Sequence, residues 1–316
     1  MINKKIIFIY LGLIVGILLL VFSSMFFYMK YQLNPNRSSI IITENERKIT
    51  SPPIPDSLEF CSEKVPLEDF DVYERIDREF LVNTYWNSAT LLYFKRANRW
   101  FPIIEPILRA NGIPDDFKYM SVAESGLTNS VSSQEAVGFW QMLAPVAEKY
   151  NLEINDEVDE RYNVEKETQA ACDYLKEAYS KFNNWTLAAA SYNYGINGIE
   201  NTFRREKTKN YYNMYLNEET YRFIARIIAI KEIFKNPHNY GFYFSEGDLY
   251  KPIETFEVKI SSSIKDLADF SNSYSINYKI IKLFNPWFRQ NALKNKLHKT
   301  YTIKIPKSGA IKFSND

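Results

Sequence analysis

A mainly helical fold, ending in a small α+β module and preceded by an apolar N-terminal helix, is what the sequence predicts. Three observations carry this. Residues 6–29 hold no charge, and Lys5 and Lys30 flank them. From about Val65 to Phe244 the apolar residues recur at helical spacing. After Pro237, β-branched and aromatic residues alternate with polar ones at Thr255–Ile260 and Tyr301–Ile305, which reads as strands.

In chain order, residues 1–5 form a short cytoplasmic tail, with Lys4 and Lys5 favouring that side. Residues 6–29 are long enough for a bilayer at ~1.5 Å per residue, and read as an uncleaved transmembrane signal anchor rather than a cleaved leader. Residues 30–65, with Pro35, Pro52, Pro53 and Pro55 among polar residues, read as a flexible tether. Residues 66–245 form the helical domain, with helices near 67–83, 84–97, 98–111 and 115–125 before a turn at Gly126. Asn163 and Asn184 are placed to cap two further helices, the second dense in alanine and ended by Gly195 and Gly198; Glu219 to Phe234 is the last. Residues 246–316 form the α+β module, with Phe242 to Phe244 as an additional strand just before it.

The 316 residues carry a net charge of +1, so no global field points to nucleic acid. Two cysteines, Cys61 and Cys172, are too few for a disulfide framework, although one bridge between them is open to an oxidising compartment. Two isolated histidines offer no metal-ligand spacing, and no phosphate-cradling glycine loop or G-x-S-x-G elbow occurs. No metal or cofactor is expected. Carboxylate chemistry remains.

One carboxylate stands out. Phe117, Met120, Ser121 and Glu124 fall at i, i+3, i+4 and i+7, so Glu124 extends an apolar stripe just before Ser125-Gly126 breaks the helix. A carboxyl held in such a place has its pKa raised, as a general acid at neutral pH requires. The plainer alternative is a helix-end glutamate that reaches solvent.

The order of motifs decides between them: E-S-G at Glu124 to Gly126, G-F-W-Q at Gly138 to Gln141, S-Y-N-Y-G at Ser191 to Gly195, and E-T-Y at Glu219 to Tyr221. Together with V-D-E-R at Val158 to Arg161 and N-W-T-L-A at Asn184 to Ala188, these resemble the lytic transglycosylases of the soluble-type (family 1) lysozyme-like superfamily. More narrowly, they are similar to the membrane-bound murein transglycosylase D type. The resemblance implies a lysozyme-like catalytic domain that cleaves the β-1,4 bond between N-acetylmuramic acid and N-acetylglucosamine in peptidoglycan glycan strands, without water and without a cofactor. It implies that Glu124 serves first as acid and then as base. Most glycosidases use two carboxylates, and neither Asp115, Asp116 nor Glu135 is an obvious partner here.

The resemblance carries further roles. Gln141 bonds an acetamido group, and Gly138 permits close backbone approach. Tyr192 stands near the acid, Asn193 contacts the N-acetyl group, and Tyr221 supplies a hydroxyl near the acid. Ser125 either touches substrate, orients Glu124 or caps the helix break. Phe139 and Trp140 read chiefly as core, with stacking on sugar the alternative. Ser191 and Phe139 stand where the family has alanine and leucine, departures that bear on local packing.

Leu283 to Arg289 and Lys299 to Pro306 resemble the degenerate LysM-like repeats of this transglycosylase type, with Asn285 at the repeat's asparagine. The module is either a glycan binder or support for the catalytic domain. Ser271 to Phe313 holds nine Lys/Arg and no Asp or Glu, a stripe suited either to an anionic polymer or to solvent. The catalytic domain is expected outside the cytosol, on the membrane. Two rival readings share the site residues: a goose-type lysozyme that uses water, and a catalytically silent wall-binding protein.

Overall fold

The computed structural model describes residues 16, 18–26, 28–29 and 49–313. The chain divides into two units, Met1–Thr50 and Ser51–Asp316. In the first, residues 18–26 are helical with exposed apolar side chains. Among the described residues no helix is long and apolar enough to cross a membrane; much of the anchor expected at 6–29 lies outside them.

The second unit begins earlier than expected. The tether assigned to 30–65 does not extend past Thr50, and residues 30–48 lie outside the described set. A two-residue hairpin, β1 (Glu59–Phe60) and β2 (Glu63–Lys64), delivers Leu58, Phe60 and Val65 to the core. Burying these side chains outweighs the proline-rich composition around them.

Eight helices follow: α1 (Phe70–Tyr85), α2 (Asn87–Ala110), α3 (Lys118–Ser125), α4 (Ala144–Lys149), α5 (Val164–Phe182), α6 (Trp185–Tyr194), α7 (Ile196–Glu206) and α8 (Glu218–Lys235). α2 is one helix where two were expected. Phe94, Ala97, Ile104 and Leu108 make a continuous buried stripe, and no glycine or cap interrupts it. Asn163 and Asn184 cap α5 and α6 as predicted, accepting from the Lys166 and Leu187 amides. Gly195 ends α6, whereas Gly198 lies inside α7.

α8 is the centre. It packs against α1, α3 and α6 and is apolar on nearly all sides, through Phe223, Ile224, Ile227, Ile228, Ala229 and Ile233. Its Lys231, 2% exposed, donates to Asp116 Oδ2 at 2.6 Å and to the Glu59 carbonyl at 3.0 Å. Asp116 also accepts from the Cys61 amide at 2.7 Å. A paired buried charge of this kind fixes position, because stranding either partner is costly. Here it fixes the start of α3 on α8.

Phe242 to Phe244 are not a strand; Phe242 is buried in the helical core, Phe244 packs against it, and Tyr243 is exposed and stacks on His238. The module beyond is β3 (Thr255–Ile260), α9 (Leu267–Ser273), α10 (Tyr278–Phe284) and β4 (Tyr301–Pro306), with β3 and β4 antiparallel. Asn285 is fully buried. It donates to the Ile281 and Lys304 carbonyls and accepts from the Lys304 amide at 2.8 Å, pinning the end of α10 to β4.

Four of the nine basic residues in the stripe are paired with acids. Lys299 pairs with Glu153 at 3.0 Å, Lys294 with Glu157 at 3.7 Å, Lys304 with Glu165 and Lys307 with Glu254. Three of those four acids belong to the helical domain. Both cysteines are free, Cys172 buried and Cys61 half-buried, so the bridge between them is not formed.

Candidate active site

Asp115–Phe117 makes one 3-10 turn behind Pro114, and α3 continues from it for eight residues. Phe117, Met120 and Ser121 are fully buried, and Glu124 follows them on the same face, half-buried. Gly126 closes the helix at φ 60°, its amide bonding the Val122 carbonyl at 2.8 Å. A Cβ at Gly126 would stand 2.7 Å from Tyr93 Cε1, so both backbone and space require glycine.

Two cavities flank α3's end, of about 610 and about 540 Å³, and Glu124 is the residue that lines both. The first also takes Gln141, Tyr150, Tyr174, Tyr192 and Asn193; the second takes Trp86, Tyr93, Arg96, Arg222 and Arg226. Burial pushes the Glu124 carboxyl up to about 8; Arg226 pulls it down and Glu219 pushes it up, each to a smaller extent. Among the described residues its carboxyl makes no hydrogen bond or ion pair. The other carboxylates of the cavities are paired. Glu177 holds Lys149 and Tyr150, and Glu79 is met by Arg78 and Arg222.

The G-F-W-Q loop is held from below by α5. Glu167, fully buried, accepts from the Phe139 amide at 2.8 Å and the Trp140 amide at 3.0 Å. Gly138 adopts φ 91°, and a Cβ there would lie 2.2 Å from the Arg161 carbonyl and 2.4 Å from Glu167 Oε1. Gly138 permits this approach of loop to helix. Phe139 and Trp140 are core, Phe139 edge-on to Trp100 and Trp140 donating to Thr168 Oγ1 at 2.9 Å. Ser125 joins this loop to α3. Its hydroxyl donates to the Phe139 carbonyl at 2.9 Å, and it receives the Thr128 amide at 3.3 Å.

Gln141 has φ 52°, a strained conformation for a residue with a side chain. Its Nε2 donates to the Ser130 carbonyl at 3.0 Å and the Gly138 carbonyl at 2.9 Å. Those two acceptors fix the amide's orientation and leave Oε1 without a partner among the described residues. Asn193 is turned the opposite way. Its Oδ1 accepts from the buried Thr220 hydroxyl at 2.6 Å, leaving Nδ2 without a partner among the described residues. The site thus offers one free acceptor and one free donor in the cavity that contains Glu124.

Tyr192 donates to the Trp140 carbonyl at 2.9 Å, and burial first, then the Glu124 carboxyl, raises its phenol pKa well above the ordinary value. Tyr221 is not brought to the acid. Its hydroxyl donates to Asp71 on α1, the Arg75 guanidinium lies 3.6 Å over its ring, and it lines neither cavity.

Several residues at the site were not singled out from the sequence. Glu167 carried the signal used for Glu124, a carboxylate among apolar neighbours at helical spacing with Val164, Ala171 and Leu175. Glu219 and Arg226, paired at 3.0 Å, sit seven residues apart on one face of α8. Trp86, Tyr93 and Arg96 gave no signal, since α1 and α2 carried no motif.

The helical domain matches the transglycosylase SLT domain over residues 102–215. The chain carries an SLT domain. Residues 256–309 match the soluble lytic transglycosylase C-terminal LysM-like domain, as the module's resemblance implied. The SLT match contains Glu124, the G-F-W-Q loop, Tyr192 and Asn193, and stops before α8. The chain is also similar to the membrane-bound lytic murein transglycosylase D of Escherichia coli strain K12 and to that of strain O6:H1. Each is 23% identical over 237 residues, 73% of this chain and 51% of the relative. The chain therefore spans about half the length of the curated relatives it matches.

Proposed function

We propose that this chain is a peptidoglycan lytic transglycosylase that cleaves the β-1,4 bond between N-acetylmuramic acid and N-acetylglucosamine and leaves a 1,6-anhydromuramyl end. The observation that carries the proposal is Glu124: unpaired, half-buried, and shared by the two cavities on either side of it. A glycan lying through both has its scissile bond at this carboxyl.

With its pKa pushed to about 8, Glu124 holds its proton near neutral pH. It gives that proton to the glycosidic oxygen as the bond to muramyl C1 breaks, and the bonding pair leaves with the N-acetylglucosamine. Among the described residues, no second carboxylate of the cavities is free to attack or to activate water, because Glu177 and Glu79 are held by cations. The muramyl N-acetyl oxygen then shields C1, and the sugar's own C6 hydroxyl attacks it. The C6 proton returns to Glu124, so no water is consumed.

Asn193 Nδ2 and Gln141 Oε1 suit the carbonyl and the N–H of acetamido groups. Buried polar partners of this kind discriminate strongly against sugars that lack the group. Ser125, Tyr192, Phe139 and Trp140 act by holding the loop, and Gly138 by letting it approach α5. We assign the protein to the cell envelope, on the extracytoplasmic side of a membrane. The uncharged run at 6–29 and the membrane-bound relatives support this.

The test is product mass. Digestion of purified glycan strands should yield ends lighter by one water than reducing muramic acid; reducing ends throughout would instead identify a hydrolase, and intact strands a wall-binding protein.

A further inference from the structure

The V-D-E-R segment, Val158 to Arg161, has one side on the site loop and the other on the C-terminal module. On the inner side, Arg161 Nη1 donates to the Glu135 carbonyl at 3.1 Å and the Met142 carbonyl at 3.2 Å, gripping both ends of the loop that carries Gln141. Asp159 holds that guanidinium through Nε at 3.0 Å and Nη2 at 2.8 Å. On the outer side, the Asp159 amide donates to the Trp287 carbonyl at 2.9 Å, and the Arg289 amide to the Glu157 carbonyl at 2.8 Å. Val158 pairs with Phe288 as a β-bridge and is 1% exposed within the module's own hydrophobic cluster. Tyr301 donates to Glu153 at 3.1 Å, Lys304 pairs with Glu165, and Arg289 lies 4.1 Å over the Tyr162 ring. Asp159 is the pivot. Its backbone belongs to the module's contact and its side chain to Arg161.

We propose that the LysM-like module is an internal brace of the active-site loop, acting through Val158, Asp159 and Arg161 rather than by gripping glycan. Arg161 is then a positioning residue: it touches no substrate, but holds Gln141 in its strained backbone conformation against the tendency of that loop to relax. Three of the module's lysines, Lys294, Lys299 and Lys304, pair with Glu157, Glu153 and Glu165, which flank the V-D-E-R segment in the helical domain. The brace stands on geometry alone, while its effect on turnover rests on the transglycosylase reading.

The experiment compares the full-length protein with Val158→Ala, with Lys304→Glu, and with Lys304→Glu combined with Glu165→Lys. Hydrogen exchange across residues 135–142 reports the brace whether or not the protein cleaves glycan. Exchange there should rise about tenfold in Val158→Ala and rise in Lys304→Glu, while α1 and α8 stay protected. The turnover number on short soluble glycan should fall in step, with KM held within about twofold. The paired swap should bring both readings back toward wild type. Faster exchange in the module with 135–142 unchanged would overturn the brace. So would loss of retention on insoluble peptidoglycan with turnover on short glycan intact, which is the signature of a glycan binder. A wild-type protein that releases no anhydro product would refute the activity, leaving the exchange result to decide the brace.

Discussion

Glu124→Gln should do two things at once: stop glycan cleavage and make the protein more stable at alkaline pH. The carboxyl's pKa rises from an ordinary 4.5 to about 8 on folding. At about 1.4 kcal/mol for each tenfold change in proton affinity, the folded protein disfavours the ionised form by about 5 kcal/mol. The sign follows from counting protons. Below pH 4.5 the carboxyl is protonated in both states and contributes nothing to the pH dependence. Between 4.5 and about 8 the folded chain keeps a proton that the unfolded chain has released, so stability falls as pH rises. Above that, the whole penalty stands. Glutamine keeps the shape and cannot ionise, so the variant escapes the decline. Cavities on both sides admit water, which screens the charge, and the expected gain near pH 9 is reduced to about 1–3 kcal/mol. Thermal unfolding of both proteins near pH 4, 7 and 9 measures it. Wild-type turnover should also decline as pH rises through about 8, where the acid loses its proton. A variant less stable than wild type near pH 9, or one that still cleaves glycan, would refute the reasoning; the expected loss of rate is roughly 10²–10⁴-fold or more.

Gly138→Ala should unfold the loop or the domain, because its Cβ would meet backbone at 2.2 Å; a melting curve and the loss of soluble protein report it. Asn193→Ala should lower kcat/KM by about tenfold to a hundredfold, the worth of one polar contact to an acetamido group, and cost about 1–3 kcal/mol of stability by stranding the buried Thr220 hydroxyl. Tyr221→Phe should leave kcat/KM within about twofold and cost about 1 kcal/mol of stability through its bond to Asp71. A large loss of turnover there would return Tyr221 to the chemistry.

How far the site was legible depends on how local each decision is. The Glu124 stripe, the break at Gly126 and the caps at Asn163 and Asn184 are set within a few residues, and they stand where the sequence puts them. Tyr221 could not be placed that way. Its partners Asp71 and Arg75 lie about 150 residues upstream, and nothing in E-T-Y says which side of α8 faces α1. The same distance problem hid the pairing of the basic stripe, since three of its four paired acids lie in the helical domain. The hairpin at Glu59–Lys64 was missed because proline and charge dominate its composition, while Leu58, Phe60 and Val65 do the packing. Glu167 was readable in principle. The periodicity that exposed Glu124 also exposes a second buried glutamate, and only the fold shows that one faces a cleft and the other a loop's amides.

The shared core at Val158 also sets an order of events during synthesis. Residues 153–165 leave the ribosome well before the partners that fasten them: Glu165 waits 139 residues for Lys304, and Glu153 waits 148 for Tyr301. Helices packed by nearby contacts form early, whereas pairings this distant in sequence close last. The glutamate and its helix can be in place while the neighbouring loop still lacks its outer support. A nascent chain therefore passes through a period in which its helices are packed while residues 153–165 still lack these partners, and translation of β4 ends that period.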